Sequence, residues 1–281
     1  MIKGKDDYHR LTNLYVKQDW LLSKRDELTE LINFCGDKES KDLIFSMLER
    51  FQYLKPDTYN YLLNEVSDYI VNYSGFVQEN ALLLSITADK ETDSSQKILY
   101  EIRQYINKRG WNSLETVNFF TDGLRVIRKG KRQVLLIDEF VGSGKTLRNR
   151  VNYLRKNIEG DFSIKCCFIA GIKNEVEKLR HEGIDIFCAM ELIKGVSGYF
   201  VGQELVKAEN IMLDLELKLA QKINDKELFT YSFGYGSAEA LYSLEGCNGN
   251  TPNSVFPIFW WAFDRNDKVR RTLLTRIENG L

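Results

Sequence analysis

Apolar positions recur at helical spacing through the first quarter of the chain. Leu21, Leu22, Leu28, Leu31 and Ile32 form one series, and Leu43, Ile44, Met47 and Leu48 form another, closed by Phe51. Asp57 stands where an N-cap would open a third helix running through Tyr73. Residues 1–75 thus read as a helical domain, either a layer packed on the rest or a cap that binds a partner. From about residue 80 short apolar runs alternate with amphipathic helices, the signature of βαβ units and a parallel sheet. Strands are predicted at 81–87, 117–121, 133–138, 164–171 and 184–190, with helices near 94–108, 145–157 and 173–182. The fold class is therefore α/β, a doubly wound, mostly parallel five-stranded sheet spanning 76–195. The remainder, 196–281, opens with an amphipathic helix near 203–224. It continues into a stretch rich in glycine, asparagine and aromatics that holds Pro252 and Pro257, two of the chain's three prolines.

Composition narrows the function classes. The chain has 281 residues, 43% hydrophobic and 28% charged, which suits a folded protein with a sizeable core. Lys and Arg number 39 against 40 Asp and Glu, a net charge of -1, which excludes a globally basic nucleic-acid coat but not a local patch. The densest apolar run, Phe256 to Phe263, is eight residues long, against the roughly 18 that a membrane helix needs. No membrane partner is expected. The start, MIKGKDDYHR, has no apolar core of a secretory signal. The five cysteines are odd in number and form no CxxC pair, so a reduced, cytoplasmic protein without a zinc site is expected. With only His9 and His181, a His-centred triad has few candidates, and His181 sits where a helix end favours a cation.

The chemistry concentrates in residues 134–146, VLLIDEFVGSGKT. Four apolar residues make a buried parallel strand. Asp138 and Glu139 stand at its C-terminal end, the edge where open α/β sheets bind ligands. Gly142, Ser143 and Gly144 then form a short loop that opens directly into a helix at Lys145 and Thr146. Glycines let successive N–H groups turn toward one anion, and the helix N-terminus adds partial positive charge. The hydroxyls of Ser143 and Thr146 add donors. The two acids repel a phosphate at close range and suit neighbouring ribose hydroxyls or a metal bound to them. The stretch thus reads as a sugar-phosphate site. GSGKT is also the tail of a P-loop, but GxxxxGK[ST] needs glycine where Glu139 stands, and no later strand ends in the aspartate that a P-loop ATPase requires.

These thirteen residues resemble the signature of type I phosphoribosyltransferases at every position, on the third strand as in that family. Lys145 is similar to purine-salvage members. The resemblance implies phosphoribosyl pyrophosphate as donor with Mg²⁺, carried by the ligand or touching Asp138. It assigns Asp138 and Glu139 as catalytic residues on the ribose hydroxyls and Gly142, Ser143, Gly144, Lys145 and Thr146 as the 5′-phosphate loop. It further implies that the stretch 122–133, with Arg125, Arg128, Lys129 and Lys131, is a flexible loop closing over pyrophosphate. The same stretch reads equally as a solvated basic hairpin or a nucleic-acid contact. Residues 87–95 take the place of the family's pyrophosphate loop, with Ser94 and Ser95 as candidates. Asp89, Glu91 and Asp93 depart from the family's small, glycine-rich loop and leave open a sensor that binds without transfer.

The resemblance also implies a hood over the sheet edge that selects the acceptor, with Tyr235, Asn250 and Asn253 as candidates in the C-terminal segment. Most of the chain is similar to a subgroup associated with bacterial conflict systems. Membership implies an effector in anti-phage, including retron-linked, defence, with a protein or nucleic-acid partner and a possible homo-oligomer. A partner-binding scaffold is the alternative from another class.

Overall fold

A computed structural model describes residues 5–86, 94–245 and 250–276. The helices and strands, in chain order, are α1 (Lys5–Lys17), α2 (Arg25–Cys35), α3 (Lys38–Glu49), β1 (Gln52–Leu54), α4 (Pro56–Asp68), β2 (Ala81–Ser85), α5 (Ser94–Lys108), β3 (Glu115–Val117), α6 (Phe120–Arg128), β4 (Gln133–Val141), α7 (Lys145–Asn157), β5 (Ser163–Ile172), α8 (Lys173–His181), β6 (Ile186–Leu192), α9 (Gly202–Glu216), β7 (Lys222–Ile223), β8 (Lys226–Glu227) and β9 (Tyr242–Leu244). The chain forms two compact units, one of residues 57–192 and one of 1–56 with 193–281. The helices of 5–49 and the C-terminal segment, separate parts in the sequence pattern, thus share one unit.

The unit of 57–192 is built on a five-stranded sheet of order β3-β2-β4-β5-β6 in which every pairing is parallel. Burial explains the composition of its strands. Both faces of a parallel sheet are covered, so its central strands are apolar throughout rather than alternating. Val134 through Ile137 are all fully buried. Leu82, Leu84, Val134, Leu136, Cys166 and Phe168 form one core with residues of α6, α7 and α8. Side chains alternate along a strand, so Leu83, Leu135 and Cys167, equally buried, point the other way. Helix α5, buried through Ile98, Ile102 and Ile106, packs on β2 and β4. A hydrogen bond from Tyr59 to Glu101 ties α4 to α5 at 2.6 Å.

Strand order reverses between β2 and β4, the switch point at which doubly wound sheets leave a crevice. Register places Ser85, the last residue of β2, beside Ile137, so Asp138 is the first residue of β4 beyond its neighbour. The fold thus delivers Asp138 to the mouth of that crevice, while Glu139, the next residue of the strand, points to the opposite face.

In the other unit, Phe256, Phe259, Trp260 and Trp261 are fully buried, and both indole N–H groups donate to backbone carbonyls at 2.8 Å. Arg270 donates to the carbonyls of Trp261 and Ile258, and burial pushes its guanidinium down to about 10. Strands β1 and β9 pair in parallel.

Three local expectations are corrected, the first being the strand at 117–121, since β3 is Glu115–Val117 and residues 120 and 121 already belong to α6. Asp57 lies inside the first turn of α4, which opens at Pro56, and the helix ends at Asp68 in a π-helical turn, Tyr69–Tyr73. Proline suits that opening because its missing N–H would be unsatisfied there anyway. The stretch expected as a flexible loop holds helix α6. Its apolar residues Phe120, Leu124 and Ile127 recur at helical spacing and are buried, which a solvated loop would not allow.

Candidate functional site

The strand–loop–helix of β4 and α7 forms, but β4 runs on to Val141, so Asp138 and Glu139 lie inside the strand rather than at its end. Asp138 is half-buried, and its Oδ1 accepts the Glu139 N–H at 2.7 Å. Glu139 is only 3% exposed, so of the two acids Asp138 is the more accessible. Gly142 and Gly144 are buried, Ser143 is half-buried, and Lys145 and Thr146 are exposed. Helix α7 has Gly144 as its N-cap and no side-chain cap, so its first N–H groups are left for an external acceptor or solvent.

Gly144 cannot be another residue without strain. Its φ is +67°, and a Cβ there would sit 2.9 Å from both Arg148 Nη1 and Glu175 Oε1. Gly171, paired with Val141, is crowded as well, since a Cβ would lie 2.4 Å from Val141 Cγ1 and 3.1 Å from the Val141 carbonyl oxygen. The two glycines let β4, β5 and α8 close tightly under the loop.

Three charged residues that sequence reasoning missed buttress the loop. Arg148 donates through Nη1 to the Ser143 carbonyl at 3.0 Å. Its Nε and Nη2 reach Glu182 at 2.6 and 2.8 Å, and Nη2 also meets Glu175 at 2.6 Å. Hydrogen bonding to Glu182 raises the guanidinium above its ordinary value and lowers the Glu182 carboxyl below its own. Both glutamates belong to the α8 region, far along the chain, so no motif spacing signals them.

The basic candidates do not gather at this site. Lys131 donates to the Glu79 carbonyl at 2.7 Å and lies 3.8 Å from Glu115, which starts β3. It therefore sits at the N-terminal edge of the sheet. Asp138 is at the opposite edge, seven residues further on, or roughly 23 Å of strand. Arg128 donates to the Asn157 carbonyl at the C-terminal end of α7. Arg125 pairs within its own helix with Asp122 at 3.3 Å, and Lys129 is exposed in the turn after α6. The expectation of one basic loop over pyrophosphate is thus corrected: α6 is the crossover from β3 to β4, and its basic end points away from the acids.

Residues 87–93 and the side chains of Ser94 and Ser95 lie outside the described residues, as does Cys247. Tyr235, Asn250 and Asn253 belong to the other unit. All three are half-buried there, and the Tyr235 N–H donates to the Asn253 carbonyl at 2.8 Å. Among the described residues no group of three or more His, Cys, Asp or Glu is arranged to hold a metal, and no helix is long and apolar enough to cross a membrane.

Sheet order, acids at the switch point and a glycine loop feeding a helix N-terminus together define a phosphoribosyltransferase-like α/β protein. The family model PRTase-CE matches residues 29–276, and the chain belongs to that family. No curated protein matches it. Among solved structures it is similar to xanthine-guanine-hypoxanthine phosphoribosyltransferase of Helicobacter pylori, at 13% identity over 50% of this chain and 86% of that chain, with a TM-score of 0.36. It is also similar to a protein of Neisseria gonorrhoeae with bound ppGpp, at 13% identity over 57% and 94% of the two chains and a TM-score of 0.36. For HGPRT-ase of Leishmania tarentolae in complex with GMP the identity is 11%, over 51% and 82%, with a TM-score of 0.35.

Proposed function

We propose that the β4–α7 site binds phosphoribosyl pyrophosphate, with Mg²⁺ arriving as part of that substrate, and that the phosphoribosyl group passes to an acceptor. The observation that carries this reading is the uncapped N-terminus of α7, fed by the buried glycine loop and set beside Asp138 at the switch point. The loop N–H groups and the Thr146 hydroxyl hold the 5′-phosphate. Asp138 accepts from ribose hydroxyls, and Glu139, buried next to it, is the second acid. Mg²⁺ keeps several waters and needs only one or two carboxylates besides phosphate oxygens, so Asp138 would suffice to hold it with the substrate. An acceptor lone pair forms the new bond to C1′ while the C1′–O bond breaks and pyrophosphate leaves with its electrons. Positive charge develops on the ribose, so positioning and electrostatics do the catalysis. The resemblance to conflict-system members extends the proposal to an effector of anti-phage defence, retron-linked members included, acting with a protein or nucleic-acid partner.

One observation favours a second reading. The basic end of α6 points away from the acids, so that helix supplies no cation cluster for a leaving pyrophosphate. A sensor of sugar phosphates would need none. Phosphorus NMR of Mg²⁺ and phosphoribosyl pyrophosphate incubated with the protein and a panel of nucleobases separates the two. Pyrophosphate released by wild type and not by Asp138→Asn/Glu139→Gln supports transfer. Saturable binding with no release supports the sensor and overturns transfer.

A further inference from the structure

We infer that Arg148 is a positioning residue that aims the Gly144 N–H at the bound phosphate, a role that rests on the 5′-phosphate reading above. One peptide plane transmits the effect. In a trans peptide the C=O of one residue and the N–H of the next point in opposite directions. No peptide bond among the described residues is cis. The Ser143 carbonyl is held by Arg148 Nη1 at 3.0 Å, on the side of the loop where Glu175 and Leu179 of α8 lie. The N–H of that plane belongs to Gly144, so it points away from α8, out of the loop's supported side.

The guanidinium is itself fixed on every edge. Glu182 accepts from Nε and Nη2, Glu175 adds an ion pair at Nη2, and Nη1 donates to the carbonyl. Arginine's planar fork suits such a clamp, and its hold on the carbonyl does not rest on Glu182 alone, since Glu175 also pairs with the guanidinium. The direction matters as much as the bond. A Ser143 carbonyl turned the other way would present oxygen, not hydrogen, to an anion. Gly144, with no Cβ, leaves the φ on one side of this plane loosely constrained, which is why an external clamp is needed. Arg148 is therefore distinct from the loop residues: it touches no ligand and acts on the donor that does.

The test uses the full chain, nitrogen-15 labelled, with ribose 5-phosphate as probe. Arg148→Met keeps the aliphatic stem and loses the clamp. Glu182→Gln weakens the exposed ion pair but leaves Nη1 on the Ser143 carbonyl. The expected result is a shifted Gly144 amide resonance in ligand-free Arg148→Met, and ribose 5-phosphate affinity lower by about tenfold to a hundredfold, the worth of one hydrogen bond to a charged group. Glu182→Gln stays within about twofold of wild type, below the 1.4 kcal/mol that a tenfold change represents. An unmoved Gly144 amide in Arg148→Met overturns the inference, and so does an equal loss in Glu182→Gln, which would mean a merely structural ion pair. A moved amide with no ribose 5-phosphate binding in wild type shows that the clamp exists but that the 5′-phosphate reading fails, and the positioning role with it.

Discussion

Replacing Gly144 by alanine tests the loop geometry most sharply, because a control glycine separates its two costs. Gly144 has φ +67°, and Gly183, after α8, has φ +76° with nothing within 4 Å of the point where an alanine methyl would stand. Left-handed backbone costs an L-residue about 1–2 kcal/mol, offset by about 0.4–1 kcal/mol because alanine also restricts the unfolded chain. Gly183→Ala should therefore lose about 1 kcal/mol or less. At Gly144 the new methyl also meets Arg148 Nη1 and Glu175 Oε1 at 2.9 Å and Leu179 Cδ1 at 3.3 Å. Crowding of that kind adds about 1–3 kcal/mol when neighbours must shift, so Gly144→Ala should lose about 1–4 kcal/mol in all. Urea unfolding of both variants beside wild type measures the difference. Equal losses, within about 0.5 kcal/mol, would refute the packing of the loop on the Arg148 clamp.

Three further outcomes are expected. Thr146→Ala should weaken ribose 5-phosphate binding by about 1 kcal/mol, one hydroxyl donor's share, with no loss of stability, since Thr146 is exposed; calorimetry and a melt check both halves. Glu216 is buried, accepts from the Ser232 hydroxyl and the Phe233 N–H, and is pushed up from its ordinary value by that burial. The native state thus holds this proton more tightly than the unfolded chain, so stability should fall as pH rises past the ordinary carboxylate range. Melting temperature against pH should show that fall in wild type and a smaller one in Glu216→Gln. Burial pushes the thiols of Cys35 and Cys188 up to about 12 and raises Cys166 and Cys167 as well. Since the thiolate is the nucleophile, mass spectrometry should find these four unlabelled by an aromatic disulfide in the native protein and labelled on unfolding.

The α/β core was legible because its signals are local. Continuous apolar runs mark strands buried on both faces, and the thirteen residues of the motif carry strand, acids, loop and helix start in one stretch. The error over α6 shows what local reading misses. Its basic residues suggest a loop over an anion, whereas Phe120, Leu124 and Ile127 at helical spacing are the stronger physical signal. That Lys131 lies at the opposite sheet edge follows only from the direction of β4, which begins at Gln133 and ends at the loop. The Arg148 clamp was hidden for another reason. Its partners Glu175 and Glu182 reach the loop through β5 and α8, a tertiary contact that leaves no spacing in the sequence. The joining of 1–56 with 193–281 is illegible for the same cause, since β1 finds its partner in β9.

The central claim is that Asp138, Glu139 and the loop after them form a phosphoribosyl site. Calorimetric titration of phosphoribosyl pyrophosphate, with and without Mg²⁺, into wild type and Asp138→Asn/Glu139→Gln tests it most directly. Saturable binding in wild type, strengthened by Mg²⁺ and lost in the variant while the melting temperature holds, is the predicted result. Equal affinity in the two proteins, or no heat of binding in either, would contradict it.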